Sequence, residues 1–247
     1  MELPPSHQTS MSDSPRVLIA LCTYNERQNV EQLIPLLRAA VPDADLLFVD
    51  DNSPDGTGQY IREIGVSDPR VLLLHREKKE GLGVAVRAGF TFAVEQGYDL
   101  LVNLDADFSH PPAVIPQLVK AAQNADVVIA SRYVPGGGVV GWPWRRKVMS
   151  WGINTYVRLI LGLKTRDNSG SFRCYRVDRL RQADLSKVRC RGYAVFEELL
   201  FRLKRAGATF QEIPYTFEER RFGTTKINMK EAVRALVNLA VLRLRGE

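Results

Sequence analysis

The sequence predicts an α/β fold, a mainly parallel sheet flanked by helices, and three observations carry that prediction. Short apolar runs rich in β-branched and long aliphatic residues alternate with stretches of helical spacing from Arg16 to Ala130. Each run stops at a polar or acidic cluster, and in parallel sheets ligands bind beyond such strand ends. With 247 residues, 45% of them hydrophobic, the chain is long enough to close one sizeable core.

The first run, residues 16–21 (RVLIAL), predicts a strand closed by Thr23, Tyr24, Asn25 and Glu26. Residues 29–40 set Val30, Leu33, Ile34 and Leu37 on one helical face. Residues 45–49 (DLLFV) predict a second buried strand, and residues 50–56 (DDNSPDG) have turn chemistry. A helix over 57–64 and a strand over 71–74 follow. Gly81-Leu82-Gly83 opens a helix over 84–96; it matches half of a dinucleotide fingerprint but lacks the third glycine, so it is not read as an NAD site. Next come a strand over 100–104, the loop Asp105-Ala106-Asp107, and a helix begun by Pro111 and Pro112. The last clear strand, 126–130 (DVVIA), ends at Ser131 and Arg132. Strands separated by helices imply right-handed crossovers.

The second half is organised differently. Residues 145–164 put Val148, Trp151, Tyr156, Leu159, Ile160 and Leu163 on one helical stripe behind Arg145, Arg146 and Lys147. A basic, aromatic, amphipathic helix is a membrane-interface element, or else an ordinary core helix. Residues 228–247 predict a C-terminal amphipathic helix with Val233, Leu236, Val237, Ala240 and Leu244 as its apolar members, more fitted to the core. Residues 1–15 are polar, without the apolar run of a signal peptide, and read as a disordered leader; residues 16–227 form the main domain. No stretch reaches the roughly 18–20 apolar residues a membrane span requires. Three scattered cysteines, Cys22, Cys174 and Cys190, give neither a disulfide framework nor a zinc pattern and fit a reducing compartment. The net charge of +6 attracts polyanions without choosing among them.

The chemistry concentrates at the strand ends. Asp105 and Asp107 are two apart, so both project to one side, a pattern for a hard divalent cation, Mg²⁺ or Mn²⁺, or for a solvated pair capping the next helix. Asp51, in the acidic pair with Asp50, could accept hydrogen bonds from a base or ribose, although the turn around it would explain both carboxylates. Arg132 at its strand end suits a phosphate or carboxylate. Arg220 and Lys226 flank Gly223 on a segment that could close over a diphosphate. His75 and His110 read as structural.

Laid out in order, these strings resemble a family-2 glycosyltransferase of the GT-A fold. The likeness rests on Thr23-Tyr24-Asn25-Glu26-Arg27, the segment from Asp50 through Thr57, Arg76-Glu77-Lys78-Lys79 with Gly81-Leu82-Gly83, and Asp105-Ala106-Asp107 with Ser109-His110-Pro111-Pro112. It continues through Ser131-Arg132-Tyr133, Gly141-Trp142, Gly170-Ser171-Phe172-Arg173, and Arg220 with Gly223 and Lys226. Within that family it is most similar to enzymes that move mannose from GDP-mannose to a dolichyl or polyprenyl phosphate. The resemblance implies an inverting transfer, with Cys22, Tyr24, Glu26, Val49 and Asp51 lining the nucleotide site. It implies that Asp105, Ala106 and Asp107 hold the metal and donor diphosphate, Asp107 and Arg132 acting at the reacting centre. Arg132, Arg220 and Lys226 would hold donor and acceptor phosphates, and Arg132, Arg146 and Ser150 the lipid phosphate. Cys22 and Thr225 depart from the family's usual proline and serine, and Phe108 and Ser109 from its usual leucine and, in some members, glutamine. The expected setting is peripheral, on the cytoplasmic face of a membrane, with a small membrane subunit as a possible partner and no nucleic acid. A family-2 enzyme using UDP-glucose or another acceptor is the alternative enzyme; a silent nucleotide-sugar or polyanion binder is the alternative of another class.

Overall fold

The computed structural model describes residues 14–218, Val237 and residues 239–243. The elements run β1 (Val17–Thr23), α1 (Arg27–Ala40), β2 (Asp45–Asp50), α2 (Thr57–Ser67), β3 (Val71–His75), α3 (Leu82–Glu95), β4 (Leu100–Asn103), α4 (Ile115–Ala121), β5 (Val127–Ser131), β6 (Gly138–Val139) and α5 (Trp144–Leu161). They continue with β7 (Arg173–Arg176), α6 (Val177–Gln182), α7 (Val195–Arg205), β8 (Phe210–Pro214) and β9 (Thr216–Phe217). The two prolines after the Asp105 loop begin a 3₁₀ turn, Pro112–Val114, which leads into α4.

The main sheet has the order β3-β2-β1-β4-β7-β5-β8, with β6 and β9 forming a separate parallel pair. All neighbours in the main sheet are parallel except β7, which runs antiparallel to both β4 and β5. That reversal matters for the site. An antiparallel strand begins at the edge where its parallel neighbours end, so the residues entering β7 lie beside those leaving β4 and β5.

Apolar cores cover both faces of the sheet. Leu18, Ala20, Leu47 and Val49 face one core with Phe90 of α3, Val157 and Leu161 of α5, and Leu199 and Leu203 of α7. Ile19, Leu21, Leu46 and Phe48 alternate to the other, with Leu33 and Leu37 of α1, Ile61 of α2 and Leu118 of α4. A strand covered on both faces must be apolar at successive positions, which is why these strands read as continuous hydrophobic runs.

The helix expected over 145–164 forms as α5, but its six-membered stripe divides. Val148, Trp151 and Leu159 are exposed, joined by Trp144 and Met149, whereas Leu163 is buried and Tyr156 and Ile160 pack against the core. Residues 148 and 156 are eight apart, and at 100° per residue that spacing turns the second side chain well off the first one's line. One side of α5 is core and the other is an exposed apolar surface. No helix among the described residues is long and apolar enough to cross a membrane. Of the C-terminal segment, Val237 and residues 239–243 are helical. Leu239 is buried in the α3 and α7 core, while Val237, expected on the apolar face, is exposed.

Candidate active site

The site lies at the ends of β1, β2, β4 and β5. On the β2 side the two acidic residues separate into different jobs. Asp50 is buried and accepts hydrogen bonds from Thr23 Oγ1 at 2.9 Å, Ser53 N at 2.9 Å and Ser53 Oγ, a structural tie between two strand ends. The rest of this turn serves α1: Ser53 Oγ, Thr57 Oγ1 and Asp55 Oδ2 accept from the main-chain N–H groups of Asn25, Glu26 and Arg27. These groups satisfy the start of a helix that has no capping side chain of its own. Asn25 and Asn52 take the left-handed backbone conformation, which asparagine tolerates, and so turn the chain sharply at both strand ends.

Asp51 is held instead by Arg76, whose Nη1 donates at 2.6 Å while its Nη2 reaches Glu80 at 3.1 Å. Burial raises the Asp51 carboxyl above its usual range against the opposing pull of Arg76. Glu26 accepts from Asn29, and the Tyr24 ring lies under the Lys79 ammonium, 3.5 Å from ring centroid to Nζ. Cys22 stands between the acidic loops, its thiol driven upward by burial and by the carboxylates of Asp105 and Asp51, so it is a neutral thiol here. Val49 is enclosed in the core, which leaves only its main chain to face a ligand.

On the β4 side, Asp105, Ala106 and Asp107 form a tight turn. The Asp105 main-chain N–H donates to His110 Nδ1 at 2.9 Å. His110 is buried and stacks on Phe172 with centroids 4.9 Å apart, and burial lowers its pKa, so it is a neutral acceptor that shapes the turn. Asp107 Oδ1 accepts from Ser109 N at 3.1 Å and Ser109 Oγ at 2.6 Å, bracing Phe108 in a left-handed conformation at φ 67°. Asp105 Oδ1 accepts from Ser171 Oγ at 2.9 Å. Among the described residues no cluster of three or more His, Cys, Asp or Glu side chains has metal-site geometry. Two carboxylates with every other position left to water and phosphate oxygens is the donor set a hard cation such as Mg²⁺ or Mn²⁺ takes, so these residues fit one.

Arg132 has a partner that sequence reasoning did not name. Its Nε and Nη2 donate to the two oxygens of Asp167 at 2.7 and 2.6 Å, and its main-chain N–H to Asp167 Oδ2 at 2.9 Å. The two side chains are 8% and 0% exposed, and the arginine holds the Asp167 carboxyl below its ordinary range against the cost of burial. Around the guanidinium lie the rings of Tyr133, Trp142 and Phe217 at 5.4, 5.6 and 5.9 Å. Arg132 is therefore a neutralised, rigidly oriented donor rather than a loose surplus cation. A signal for Asp167 was available: an arginine directly after a fully buried strand needs a counter-charge, and Asp167 lies three residues before the Gly170-Ser171-Phe172-Arg173 string.

Residues 167–171 connect these parts. Asp167 holds Arg132, Ser171 holds Asp105, and Ser169 Oγ accepts from Arg132 Nη2 at 3.2 Å. Arg173, fully buried, braces the segment from below by donating to the carbonyls of Asn168 and Phe196. On α5, Ser150 Oγ accepts from Tyr133 OH at 2.7 Å, and Arg146, one turn earlier, stacks on Trp142 at 4.1 Å. The structure thus brings Asp105, Asp107, Arg132, Arg146 and Ser150 to one edge of the sheet. Arg220 and Lys226 lie outside the described residues.

Residues 18–183 match the glycosyl transferase family 2 profile. An undecaprenyl-phosphate mannosyltransferase of Micrococcus luteus is 45% identical, over 91% of this chain and 92% of its own. A polyprenol monophosphomannose synthase of Mycolicibacterium smegmatis is 42% identical, over 94% of this chain and 88% of its own. Among solved structures, a mannosyltransferase from Pyrobaculum calidifontis in complex with GDP-mannose and Mn²⁺ superposes with a TM-score of 0.63 at 15% identity, over 94% of this chain and 64% of its own. Such a neighbour establishes the fold, which is GT-A. By the family match and the length of both sequence relationships, the chain belongs to glycosyltransferase family 2.

Proposed function

We propose that this enzyme transfers mannose from GDP-mannose to a polyprenyl phosphate with inversion at the sugar. Two relatives above 40% identity, which span nine-tenths of the chain and bear the names of polyprenyl-phosphate mannosyltransferases, support the sugar and the acceptor class. The neighbour solved with GDP-mannose and Mn²⁺ supports the donor and a divalent cation. The observation that carries the reading is the segment 167–171, which joins the donor-side carboxylate Asp105 to Arg132.

The acceptor is a phosphate monoester with a second pKa near 6, mostly dianionic at neutral pH. Its oxygen attacks the anomeric carbon, the new C–O bond forms, and the bond to the β-phosphate breaks with its electron pair leaving on GDP. No proton has to be removed, so no general base is required, which accords with the structural role of His110. What the protein supplies is charge balance and alignment. Asp105 and Asp107 would hold the cation, which when bound would offset the charge gathering on the leaving diphosphate. Tyr24, Glu26, Cys22, Asp51 and the Val49 main chain line the nucleotide site, with Arg76 fixing the Asp51 carboxylate. Arg146 and Ser150 receive the acceptor phosphate beside Arg132, and the family resemblance assigns Arg220 and Lys226, outside the described residues, to the phosphates as well. The exposed apolar side of α5, with Trp144, Val148, Trp151 and Leu159, rests in the membrane interface, so the lipid tail enters where its phosphate is bound.

The test is a radiolabelled transfer assay with purified protein, GDP-mannose or UDP-glucose, Mg²⁺ or Mn²⁺, and a short polyprenyl phosphate. Cation-dependent mannosyl transfer, abolished in Asp107→Ala, is expected. Near-normal transfer by Asp107→Ala would refute the metal assignment, and preferred use of UDP-glucose would refute the donor.

A further inference from the structure

Asn154 is an unusual residue for the middle of an 18-residue helix. Asparagine is a poor helix former, and a buried carboxamide is costly unless its hydrogen bonds are made. Asn154 is 4% exposed, and all four of its bonding positions are used. Its Nδ2 donates to the Ser150 carbonyl at 2.9 Å and to Ser169 Oγ at 3.0 Å. Its Oδ1 accepts the main-chain N–H groups of Asn168 at 2.7 Å and Ser169 at 3.0 Å.

These bonds join two bodies. One is α5, where Arg146, Ser150 and Asn154 follow each other at intervals of four and share a face. The other is the segment 167–171, which orients Arg132 through Asp167 and Asp105 through Ser171. Resting on the function proposed above, we propose that Asn154 is a positioning residue that sets the acceptor phosphate, carried by α5, in line with the donor sugar, held at Asp105 and Asp107. With no spare bonding position, the carboxamide fixes both the height and the rotation of α5 against the loop. A leucine or methionine would pack and would favour the helix, but would leave that register to apolar contact alone. In-line displacement is sensitive to this register: a misplacement of about 1 Å costs on the order of 100-fold in rate.

Asn154→Asp tests the idea. The carboxylate keeps the two main-chain N–H groups but cannot donate to Ser150 O or Ser169 Oγ. Transfer kcat is expected to fall about 100-fold, while GDP affinity in Mn²⁺, read by calorimetry, stays within about threefold and the ratio of donor hydrolysis to transfer rises. A purely structural residue would lower donor binding and transfer together. Transfer within about threefold of wild type, or loss of GDP affinity in step with transfer, overturns the proposal. Should Asn154→Asp not fold, Asn154→Ala removes all four bonds without burying a charge and leaves the Arg132–Ser169 bond in place; about the same fall in kcat at unchanged GDP affinity is expected, and wild-type kcat overturns it. Wild-type protein that fails to glycosylate polyprenyl phosphate at all, with any nucleotide sugar, would instead sink the functional reading.

Discussion

Replacing Asp167 by alanine isolates the buried ion pair. The carboxylate is wholly enclosed and accepts from three groups of Arg132 and from Gly170 N. Its removal leaves the guanidinium, 8% exposed, with Ser169 Oγ as its hydrogen-bond acceptor and aromatic faces no nearer than 5.4 Å. Breaking a buried pair from one side costs about 3–5 kcal/mol because the other charge stays buried and uncompensated. For a domain of this size that is a fall in Tm of roughly 6–20 °C, or the equivalent shift in urea midpoint. Arg132→Met is expected to cost less, since Asp167 keeps the main-chain N–H groups of residues 132 and 170 as donors. The double variant should be destabilised by at least about 2 kcal/mol less than the sum of the singles, the sign of a direct coupling. A loss below about 1 kcal/mol for Asp167→Ala, or additive singles, would refute the argument that Arg132 is charged, buried and dependent on Asp167.

Glu197 is buried, its carboxyl is raised by desolvation to about 7, and its Oε2 lacks a hydrogen-bond partner, with Arg173 opposing the shift. A raised folded-state pKa means the native state holds a proton the unfolded chain has released, so stability falls as pH rises between about 4.5 and 7. The advantage of Glu197→Gln over wild type should therefore grow by on the order of 3 kcal/mol from pH 4.5 to 8 in urea titrations; a flat difference would contradict this. A Cβ on Gly83 would sit 2.1 Å from the Cys190 carbonyl oxygen, so Gly83→Ala should cost about 1–3 kcal/mol or more. By contrast Gly97→Ala, with open space but φ +67°, should cost only about 1 kcal/mol, the strain of a Cβ in the left-handed conformation; equal losses by thermal denaturation would go against the contact. Trp151→Glu with Leu159→Glu, on the exposed side of α5, should weaken cosedimentation with anionic vesicles at least about tenfold while leaving Tm near wild type. Unchanged vesicle binding would remove α5 from the interface.

The strand ends were legible because a parallel strand buried on both faces is a local pattern: β1, β2, β3, β4 and β5 fall within two residues of the runs that predict them. Apart from α5, most of the second half was not, and β7 shows why. Its sequence, Arg-Cys-Tyr-Arg, has neither an apolar run nor a helical period. It is a strand because it fits between β4 and β5, and Arg173 is tolerated there because its guanidinium reaches the carbonyls of Asn168 and Phe196. The same limit applied to α7, where Glu197, Glu198 and Arg202 lie buried among the apolar positions. A helix whose charges are paired inside, as Glu198 and Arg202 are, shows a polar composition on what is an inward face.

At the site the division falls between residues that lie near one another in sequence and residues that fold together. Asp105 with Asp107, and Arg132 after its strand, announce themselves by position. Asp167, Ser171 and Asn154 do not, since each acts on a partner 14 to 66 residues away through a bond that no local pattern encodes. Their necessity could still be argued in advance. A charge placed at the end of a buried strand has lost its water, and a mobile cation there would bind phosphate in many poses. Fixing one pose requires an acceptor that is itself fixed, and among the described residues the antiparallel entry into β7 is the piece of this sheet edge that adjoins both β4 and β5. Catalytic alignment thus falls to the segment before β7, and a sequence reader who knows the strand order would look for carboxylate and hydroxyl groups there before anywhere else.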